Sequence, residues 1–427
     1  MKRIRKALPV DEAIRKVVEA CPPGKVEEID LFDCYHRVLA EDILASHSVP
    51  FFNRSAMDGF AISSSDSIGA TREKPKALKV VDRLAAGDVA RVPVTPGHAI
   101  RIMTGAAMPE GANAVVMLEK VTEKETFAEK WIEFYEEIEP GKHVSQIGED
   151  LTKGELVVAK GTRISEGDLA LLATFGSRRV AVQKQPVIGI YATGAELLQV
   201  EEALQPGKIR NSNSVMIMGQ VRKYGGVPKL LGIIPDRKEE AVKAIGSALS
   251  EVDMIVTTGG VSVGDYDLML DVYEELGADF IFDRVAMRPG KPTTVAAVHG
   301  KLIFGLSGNP AACFVGFELF AKPALLSYQG FDASGLDGFE ATIAEDFSSQ
   351  SPFLTFIRAI AYIEHGIVKV MPMHKNRASM LSSLGQSNCF ILVQPGSVTV
   401  QENEKVQILL FAPFAGREES RFSIHWI

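Results

Sequence analysis

Strand-like and helix-like segments alternate along residues 186–330, and this feature restricts the fold more than any other. The apolar runs predict buried strands, and helical periodicity predicts the segments between them. Parallel strands need long crossover connections, which are usually helices. The alternation therefore predicts a doubly wound, mostly parallel sheet. The predicted strands are 187–191, 229–234, 253–257 and 301–306, and the predicted helices are 213–224, 239–249 and 268–276.

Three of these strands end in polar turns that contain glycine: Thr193-Gly194, Thr258-Gly259-Gly260 and Ser307-Gly308-Asn309. In an open parallel sheet, ligands bind at the carboxyl ends of the strands, where backbone amides and helix N-termini favour anions. A glycine after one strand often reflects turn geometry alone. Three such turns in one sheet predict a crevice for a phosphorylated ligand, and the second turn continues through Ser262 and Gly264.

A basic segment follows, with Arg284, Arg288 and Lys291 among the turn-forming residues Pro289 and Pro292. Arginine presents a planar fork to phosphate oxygens, whereas lysine acts as a point charge. The segment is interpreted as an anion-binding element. The alternative is an ordinary solvated surface loop.

Acidic residues stand beside several of the turns, and carboxylates next to phosphates are typical of sites where Mg²⁺ bridges the two. Each also has a structural alternative. Asp236 could begin a helix, Asp58-Gly59 could form a tight turn, and Glu196 could lie in the first turn of a helix. The acidic residues are Asp58, Asp150, Glu196, Asp236 and Asp267.

The rest of the chain predicts further domains around the α/β domain at 186–330. A helix at 9–20 belongs, with 146–185, to an N-terminal and linking domain that comprises residues 1–25 and 146–185. Short β-type runs predict a β-rich inserted domain at 26–145. Alternating runs after Gly330 predict a small C-terminal β domain, barrel-like, at 331–427. The fold class is therefore multidomain α/β plus β.

Composition excludes several classes of function. The 427 residues carry a formal net charge of −8, which argues against a general nucleic-acid or membrane-surface binder. The four cysteines lack the spacing of a disulfide framework or a zinc site, and we expect buried, inert thiols. No long apolar run and no apolar segment after the basic N-terminus are found, so we expect a cytoplasmic protein without a membrane partner.

Eight motifs follow one another along most of the chain: Ser55–Ala61, Arg101–Ala106, Gly148–Asp150, Thr193–Leu197, Asn211–Ser214, Gly259–Gly264, Arg288–Pro292 and Gly308–Pro310. In this order they resemble the motifs of the molybdopterin molybdenumtransferase family, the MoeA and gephyrin E-domain type. Ser387-Asn388-Cys389-Phe390 also fits the pattern.

The resemblance implies an elongated, four-domain subunit that forms a homodimer. It implies insertion of molybdenum from molybdate into adenylylated molybdopterin, with release of AMP and a requirement for Mg²⁺. The cleft would combine the α/β domain of one subunit with the β-rich domain of the other. Other proteins of molybdenum-cofactor biosynthesis are further partners to consider. The residues leave open whether the oxyanion is molybdate or tungstate.

The same resemblance assigns roles to individual residues. The family's catalytic and metal-site carboxylates correspond to Asp58, Asp150, Glu196, Asp236 and Asp267, and we assign the metal to the last three. Asp58 is chosen as the residue nearest the reacting centre, and Thr104 falls at a position near it. The substrate-binding set is Thr104, Thr193, Gly194, Gly259, Gly260, Ser262, Gly264, Arg284, Arg288, Lys291, Ser307, Gly308 and Asn309.

The chain departs from the family pattern at four positions. Ala195 and Asn211 stand where aspartate is common, Ser145 where an arginine is frequent, and Ser307 where a proline is frequent. These changes could retune affinity or the choice of oxyanion. One alternative is a non-catalytic, dimeric pterin-binding scaffold of the gephyrin E-domain type. Another nucleotide-dependent enzyme is disfavoured, because the first predicted strand lacks GxGxxG and the chain lacks GxxxxGK[ST].

Overall fold

The computed structural model describes residues 7–127, 129–234, 237–260, 268–331 and 338–414. The chain forms two compact units. The first consists of Met1–Ile29, Asp33–Ala40 and Val180–Ile427, and the second of Asp30–Phe32 and Glu41–Arg179. The four domain boundaries expected from the sequence stay a prediction.

A six-stranded sheet organises the first unit, and four of its strands are parallel neighbours. The parallel strands are Val227–Ile234, Val187–Thr193, Met254–Thr258 and Lys301–Leu306, in that spatial order. Thr294–Val298 and Asp279–Phe282 continue the sheet in antiparallel orientation. The predicted strands and the mostly parallel character are confirmed, and the two antiparallel strands were not foreseen.

Helices cover both faces of this sheet because its strands are apolar on both sides. One core contains Ile190, Val256 and Phe304, and the other contains Ile255, Ile303 and Tyr273. The four helices predicted at 9–20, 213–224, 239–249 and 268–276 are present within a residue or two of their expected bounds. The helices of the first unit are Val10–Ala20, Ser212–Lys223, Lys238–Ala248, Leu268–Glu275 and the continuous helix Pro310–Tyr328, which has a π-helical turn at Phe317–Ala321.

The C-terminal strands close into a barrel, which removes their exposed edges. Around the barrel the order is Leu354–Glu364, Ile367–Pro372, Gly338–Ile343, Lys405–Leu410 and Cys389–Val393, and the last strand pairs with the first. Met287–Arg288 adds to Leu354–Glu364, and a hairpin-like pair is formed by Phe347–Ser351 and Gly396–Val400. The barrel-like C-terminal domain expected from the sequence is thereby confirmed.

The second unit contains a six-stranded sheet, as the β-rich pattern predicted. Its strand order is Ala114–Met117, Gly59–Ile62, His98–Ile102, Lys76–Leu84, Lys130–Phe134 and Val121–Glu125. Its α-helix is Glu166–Thr174, which begins with a capping box between Ser165 and Asp168. Two further pairs of short strands belong to the second unit: Arg54–Ser55 with Val144–Ser145, and Ile43–Leu44 with Leu156–Val158. In the first unit, Leu197–Leu198 pairs with Ile209–Arg210. Val26–Asp30 pairs with Arg179–Gln183.

Of the helices in the described ranges, only Pro310–Tyr328 is long and apolar enough to cross a membrane, and 78% of its most apolar stretch is buried inside the protein. It packs against Val10–Ala20 and the sheet within the main core. All four cysteines are free, and three of them are buried, as expected. Burial raises the pKa of Cys21 to about 11 and those of Cys313 and Cys389 to about 12.

Candidate functional site

Three loops meet at the carboxyl edge of the parallel sheet, and we call them the edge loops: Thr193–Glu196, Thr258–Gly260 and Ser307–Asn309. Strand register sets their alignment, because Ala192 pairs with Thr258 and Thr258 pairs with Leu306. The Gly259 amide donates to the Leu306 carbonyl at 3.0 Å. The convergence of the three glycine turns that the sequence predicted is therefore present.

Glycine is needed where the first two edge loops touch. Gly259 has a φ of +91°, and a Cβ built there would lie 2.4 Å from the Thr193 carbonyl oxygen and 2.7 Å from its hydroxyl. Gly260 has a φ of +69° and is similarly close to the Thr193 hydroxyl. Side chains at these positions would both strain the backbone and push the loops apart. The edge loops thus present backbone atoms to whatever binds above them.

Glu196 is exposed and folds back over Gly194. A Cβ built on Gly194 would lie 2.5 and 2.7 Å from the two carboxylate oxygens of Glu196. Glu196 precedes the short strand Leu197–Leu198, so the alternative of a first-turn helix position is wrong. Its carboxylate lines a pocket together with Thr193, Thr258, Gly308 and the start of the helix Ser212–Lys223.

Asn211 and Ser307, two of the departures from the family pattern, have local structural roles. The Asn211 side chain accepts a hydrogen bond from the Ser214 amide at 3.1 Å and caps the helix Ser212–Lys223. Ser307 is buried, and its hydroxyl accepts from the Asn309 amide at 3.2 Å. Both substitutions therefore preserve the backbone at the pocket while removing the charge or ring of the common residue.

The basic segment lies beside the helix that follows the third edge loop. Gly290, at a φ of +99°, sits close to the Ala312 carbonyl in the first turn of that helix. Arg288 donates to the Gln350 carbonyl at 3.4 Å, and the Lys291 ammonium lies 4.8 Å from the centre of the Phe353 ring. Both cations thus contact residues that lie just before the barrel strand Leu354–Glu364, which the sequence did not indicate.

The backbone of Arg284, the third basic residue, connects two segments of the first unit. Its carbonyl accepts from the Leu8 amide at 3.1 Å, which joins the N-terminal segment to the strand-like stretch at Val285.

In the second unit, Asp58 and Thr104 form one hydrogen-bonded pair. Asp58 Oδ1 accepts from the Thr104 amide at 2.7 Å and from the Thr104 hydroxyl at 2.8 Å. The amide bond lowers the pKa of Asp58 most, followed by the hydroxyl bond and the charge of Arg101. Asp58 is exposed and presents its second oxygen as an ionised carboxylate.

Asp150 follows a turn held by its neighbour Glu149. The Glu149 carboxylate accepts from the Ser145 hydroxyl at 2.6 Å and from the Gln146 amide at 3.0 Å, and these bonds lower the pKa of Glu149. Strand pairing of Arg54–Ser55 with Val144–Ser145 brings this turn beside the chain that leads to Asp58. Ser145, where the family often has arginine, therefore orders the turn. Asp150 itself is exposed.

Four predicted site residues, Asp236, Ser262, Gly264 and Asp267, lie outside the described residues. In the described ranges, no group of three or more His, Cys, Asp or Glu side chains is arranged to hold a metal ion. Glu196 nevertheless fits Mg²⁺ chemically, because this cation takes oxygen ligands and commonly uses only one or two protein carboxylates together with waters and substrate phosphates.

Asn213 and Arg358, which were not among the predicted site residues, are two of the buried polar residues that have unpaired side-chain atoms in the described ranges. Asn213, at the pocket, has an amide oxygen with no hydrogen-bond partner in the described part of the chain. Arg358, in the barrel, is 2% exposed, and within the same ranges its Nε and Nη1 lack partners while Nη2 donates to the Lys375 and Arg377 carbonyls. Buried arginine is rare, but its burial cannot be predicted from a β-type run alone.

Comparison with known proteins adds family matches over nearly all of this architecture. Residues 8–176 match the MoeA N-terminal region (domain I and II), residues 189–327 a probable molybdopterin-binding domain, and residues 340–411 the MoeA C-terminal region (domain IV).

Full-length relatives agree. The chain is 44% identical to the molybdopterin molybdenumtransferase of Bacillus subtilis, over 97% of this chain and 96% of the relative. It is 39% identical to that of Staphylococcus epidermidis, over 97% and 98%. A crystal structure of the molybdopterin biosynthesis moeA protein from Pyrococcus horikoshii OT3 matches with a TM-score of 0.80 at 33% identity and covers 95% of this chain and 100% of its own.

The sequence motifs, the edge loops and these relatives point to one assignment, which also decides against a purely non-catalytic scaffold. The chain belongs to the MoeA-type molybdopterin molybdenumtransferase family, the enzymes of molybdenum cofactor biosynthesis.

Proposed function

We propose that this enzyme inserts molybdenum from molybdate into adenylylated molybdopterin. In the proposed reaction water hydrolyses the phosphoanhydride between AMP and the pterin phosphate, and AMP leaves. The two dithiolene sulfurs replace one oxygen of molybdate, which leaves as water with the two thiol protons, and molybdenum keeps its oxidation state. The substrate supplies its own sulfur ligands, so no protein cysteine is needed. The buried cysteines of the chain agree with this assignment of roles.

The observation that carries the proposal is the alignment of the three edge loops on neighbouring parallel strands. Their glycines bring backbone atoms together at Thr193, Gly259 and Gly308, beside the N-terminus of the helix Ser212–Lys223. Amides and helix N-termini favour anionic groups such as a pterin phosphate. We assign the binding of that phosphate to the edge loops, with Arg284, Arg288 and Lys291 offsetting the remaining negative charge.

Glu196 is the described residue that would hold Mg²⁺, together with Asp236 and Asp267. When bound, the cation would polarise the phosphoanhydride and stabilise the charge that develops on the departing AMP. Glu196 is suited to this role because its carboxylate is exposed at the pocket and lies against Gly194.

We assign Asp58 as the group nearest the reacting centre, with Thr104 fixing its orientation and Asp150 nearby in the same unit. The double hydrogen bond from Thr104 keeps Asp58 ionised and limits its rotation. We further propose that the enzyme is a homodimer whose cleft combines the edge loops of one subunit with Asp58 and Asp150 of the other. The structural support for this proposal is that the edge loops belong to the first compact unit, whereas Asp58 and Asp150 belong to the second.

We also propose a cytoplasmic location, which the four free cysteines support because disulfides are rare in reducing compartments. Substrate delivery by other proteins of molybdenum-cofactor biosynthesis belongs to the same proposal. Fractionation of cells and co-purification would test these two points.

The central test is AMP release from adenylylated molybdopterin by purified protein, with and without molybdate. We expect release that depends on molybdate and Mg²⁺, and near-complete loss in Asp58→Ala and Asp267→Ala. Thr126→Ala, an exposed threonine of the second unit that bonds the Glu129 carbonyl, serves as a control. Full activity in either aspartate variant would refute the residue assignments, and release without any dependence on molybdate would refute the proposed reaction. Competition with tungstate in the same assay decides the preferred oxyanion.

A further inference from the structure

Asn213 joins two of the edge loops through one side-chain amide. Its Nδ2 donates to the Thr258 hydroxyl at 2.8 Å and to the Gly308 carbonyl at 2.9 Å. The Thr258 hydroxyl in turn donates to the Ser307 carbonyl at 3.2 Å. A single residue of the helix Ser212–Lys223 therefore connects the ends of two neighbouring strands.

The orientation of this amide follows from its partners. The Gly308 carbonyl can only accept a hydrogen bond, so Nδ2 must face it, and a flipped amide would place two acceptors 2.9 Å apart. Oδ1 is then left buried without a partner in the described part of the chain. An unpaired buried acceptor destabilises the fold. An apolar residue at this helix position would avoid the cost of an unpaired buried oxygen. The amide therefore contributes to the structure through the two hydrogen bonds that its Nδ2 donates.

In the described residues, two other hydrogen bonds join the second edge loop to the end of the neighbouring strand and its loop: the Gly259 amide donates to the Leu306 carbonyl at 3.0 Å, and the Thr258 hydroxyl donates to the Ser307 carbonyl at 3.2 Å. Neither of these bonds reaches Gly308, to which Asn213 donates. The second and third edge loops approach each other at two glycines. A Cβ built on Gly308 would lie 3.5 Å from the Gly259 Cα. Glycines have the greatest backbone freedom in the unfolded and locally open states. The two bonds from Asn213 restrict this freedom without filling the space above the loops.

We infer that Asn213 is a positioning residue that holds the Thr258–Gly260 and Ser307–Asn309 loops at the spacing required for the pterin phosphate. The inference rests on the proposed function for the identity of the ligand, but the ordering of the loops can be measured without any ligand. Asn213 need not touch the substrate.

Gln220 provides a matched control on the same helix, two turns away. It is also a buried amide with an unpaired oxygen, and its Nε2 donates to Glu318 Oε1 at 2.8 Å and to the Phe314 carbonyl at 3.4 Å, away from the edge loops. Asn213→Ala and Gln220→Ala therefore remove the same group with a similar number of bonds. Asn213→Asp keeps the shape but removes both donors.

The first measurement is hydrogen exchange of the full-length protein without ligand, followed in peptides that contain Gly259 and Gly308. We expect faster exchange there in Asn213→Ala and Asn213→Asp, and wild-type rates in Gln220→Ala. Equal rates in all four proteins, or equal acceleration by Gln220→Ala, would overturn the inference whatever the ligand is.

The second measurement is equilibrium binding of adenylylated molybdopterin in the absence of molybdate. We expect both Asn213 variants to bind on the order of tenfold more weakly or worse, since small misplacements of binding groups are costly, and Gln220→Ala to bind as wild type does. Wild-type affinity in a folded Asn213 variant would overturn the inference. Absence of binding by the wild-type protein would instead count against the proposed function, while the exchange rates would still decide the role of Asn213 in ordering the loops.

Discussion

Thr104 donates two hydrogen bonds to the same oxygen of Asp58, one from its backbone amide and one from its hydroxyl, at 2.7 and 2.8 Å. The amide bond depends only on the backbone, whereas the hydroxyl bond can be removed by mutation. Both lower the pKa of Asp58, so the carboxylate stays ionised to a lower pH than an unpaired aspartate would.

Thr104→Ala should therefore move the acid limb of the pH–activity profile to higher pH. The variant keeps the amide bond but loses the hydroxyl bond, so the pKa of Asp58 rises toward its ordinary value. Ionised Asp58 stabilises the fold at pH values above its unfolded-state pKa, and this stabilisation is lost as the pH falls through its folded-state pKa. In the variant the folded-state pKa is higher, so the loss should begin at a higher pH. Activity and unfolding measured from acid to neutral pH test the prediction. If the acid limb of Thr104→Ala is the same as that of the wild type and of the control Thr126→Ala, the Thr104 hydroxyl does not control the pKa of Asp58.

Gly259→Ala should destabilise the protein and abolish pterin binding. The change adds left-handed backbone strain of about 1–2 kcal/mol, and the new methyl group would press on the Thr193 carbonyl and hydroxyl at an overpacking cost of about 1–3 kcal/mol. Gly232→Ala is the control, because Gly232 has a φ of +103° and no atom within 4 Å of the added Cβ. Denaturant unfolding should show a larger loss for Gly259→Ala. Equal losses would mean that the contact with Thr193 relaxes freely.

Glu196→Gln should raise the Mg²⁺ concentration needed for half-maximal activity by about tenfold or more, by analogy with the effects of altered metal-site residues. The amide keeps the shape of the side chain but removes the charge that attracts the cation. Glu202→Gln, which changes an exposed carboxylate that accepts from the Gln199 amide, is the control. AMP release measured over a range of Mg²⁺ concentrations gives the half-saturating Mg²⁺ concentration of each variant and of the wild type. Identical half-saturation in Glu196→Gln and wild type would remove Glu196 from the metal site.

Complementation between inactive subunits tests the composite site. If Asp58 of one subunit serves the edge loops of the other, heterodimers of Asp58→Ala and Glu196→Ala contain one intact site and one doubly altered site. Random pairing then gives roughly a quarter of wild-type activity, since half of the dimers carry one good site of two. The two variants are co-expressed with different tags, and activity is compared with that of each variant alone. Tandem-purified heterodimers without activity would place both residues in the same subunit's site.

The buried thiols should resist alkylation in the native protein. The raised pKa values of Cys313 and Cys389, about 12, leave almost no thiolate at pH 8, and burial blocks access. Mass spectrometry after brief iodoacetamide treatment should find these residues unmodified until denaturant is added. Alkylation at the rate of a free peptide thiol, with activity lost in parallel, would show that a cysteine is accessible and takes part in function.

Local sequence patterns were sufficient to locate the main elements of the α/β domain. The apolar runs around Ile190, Val256 and Phe304 are buried strands in the structure, and the helical segments between them are present. The glycine turns after these strands were also identified correctly. A positive φ restricts the residue type at Gly194, Gly259 and Gly260, whereas Gly308 is restricted only by its close approach to Gly259.

Other features depended on contacts that the pattern does not contain. The two antiparallel strands Thr294–Val298 and Asp279–Phe282 belong to the same sheet through pairing with Lys301–Leu306 and with each other, and the alternation of strands and helices does not predict this antiparallel pairing. The burial of Arg358 and the attachment of Lys291 to Phe353 likewise involve partners from other elements.

What the sequence by itself determined is the order and type of the elements, the glycine turns and the motifs that identify the family, since all of these depend on residues close together in the chain. Only the tertiary structure decided that Thr104 orients Asp58, 46 residues away, and that Asn213 connects Thr258 to Gly308, 45 and 95 residues away. The physical reason is that hydrogen bonds between distant residues require the strand order and register that packing of the whole core selects, and no local periodicity encodes that selection.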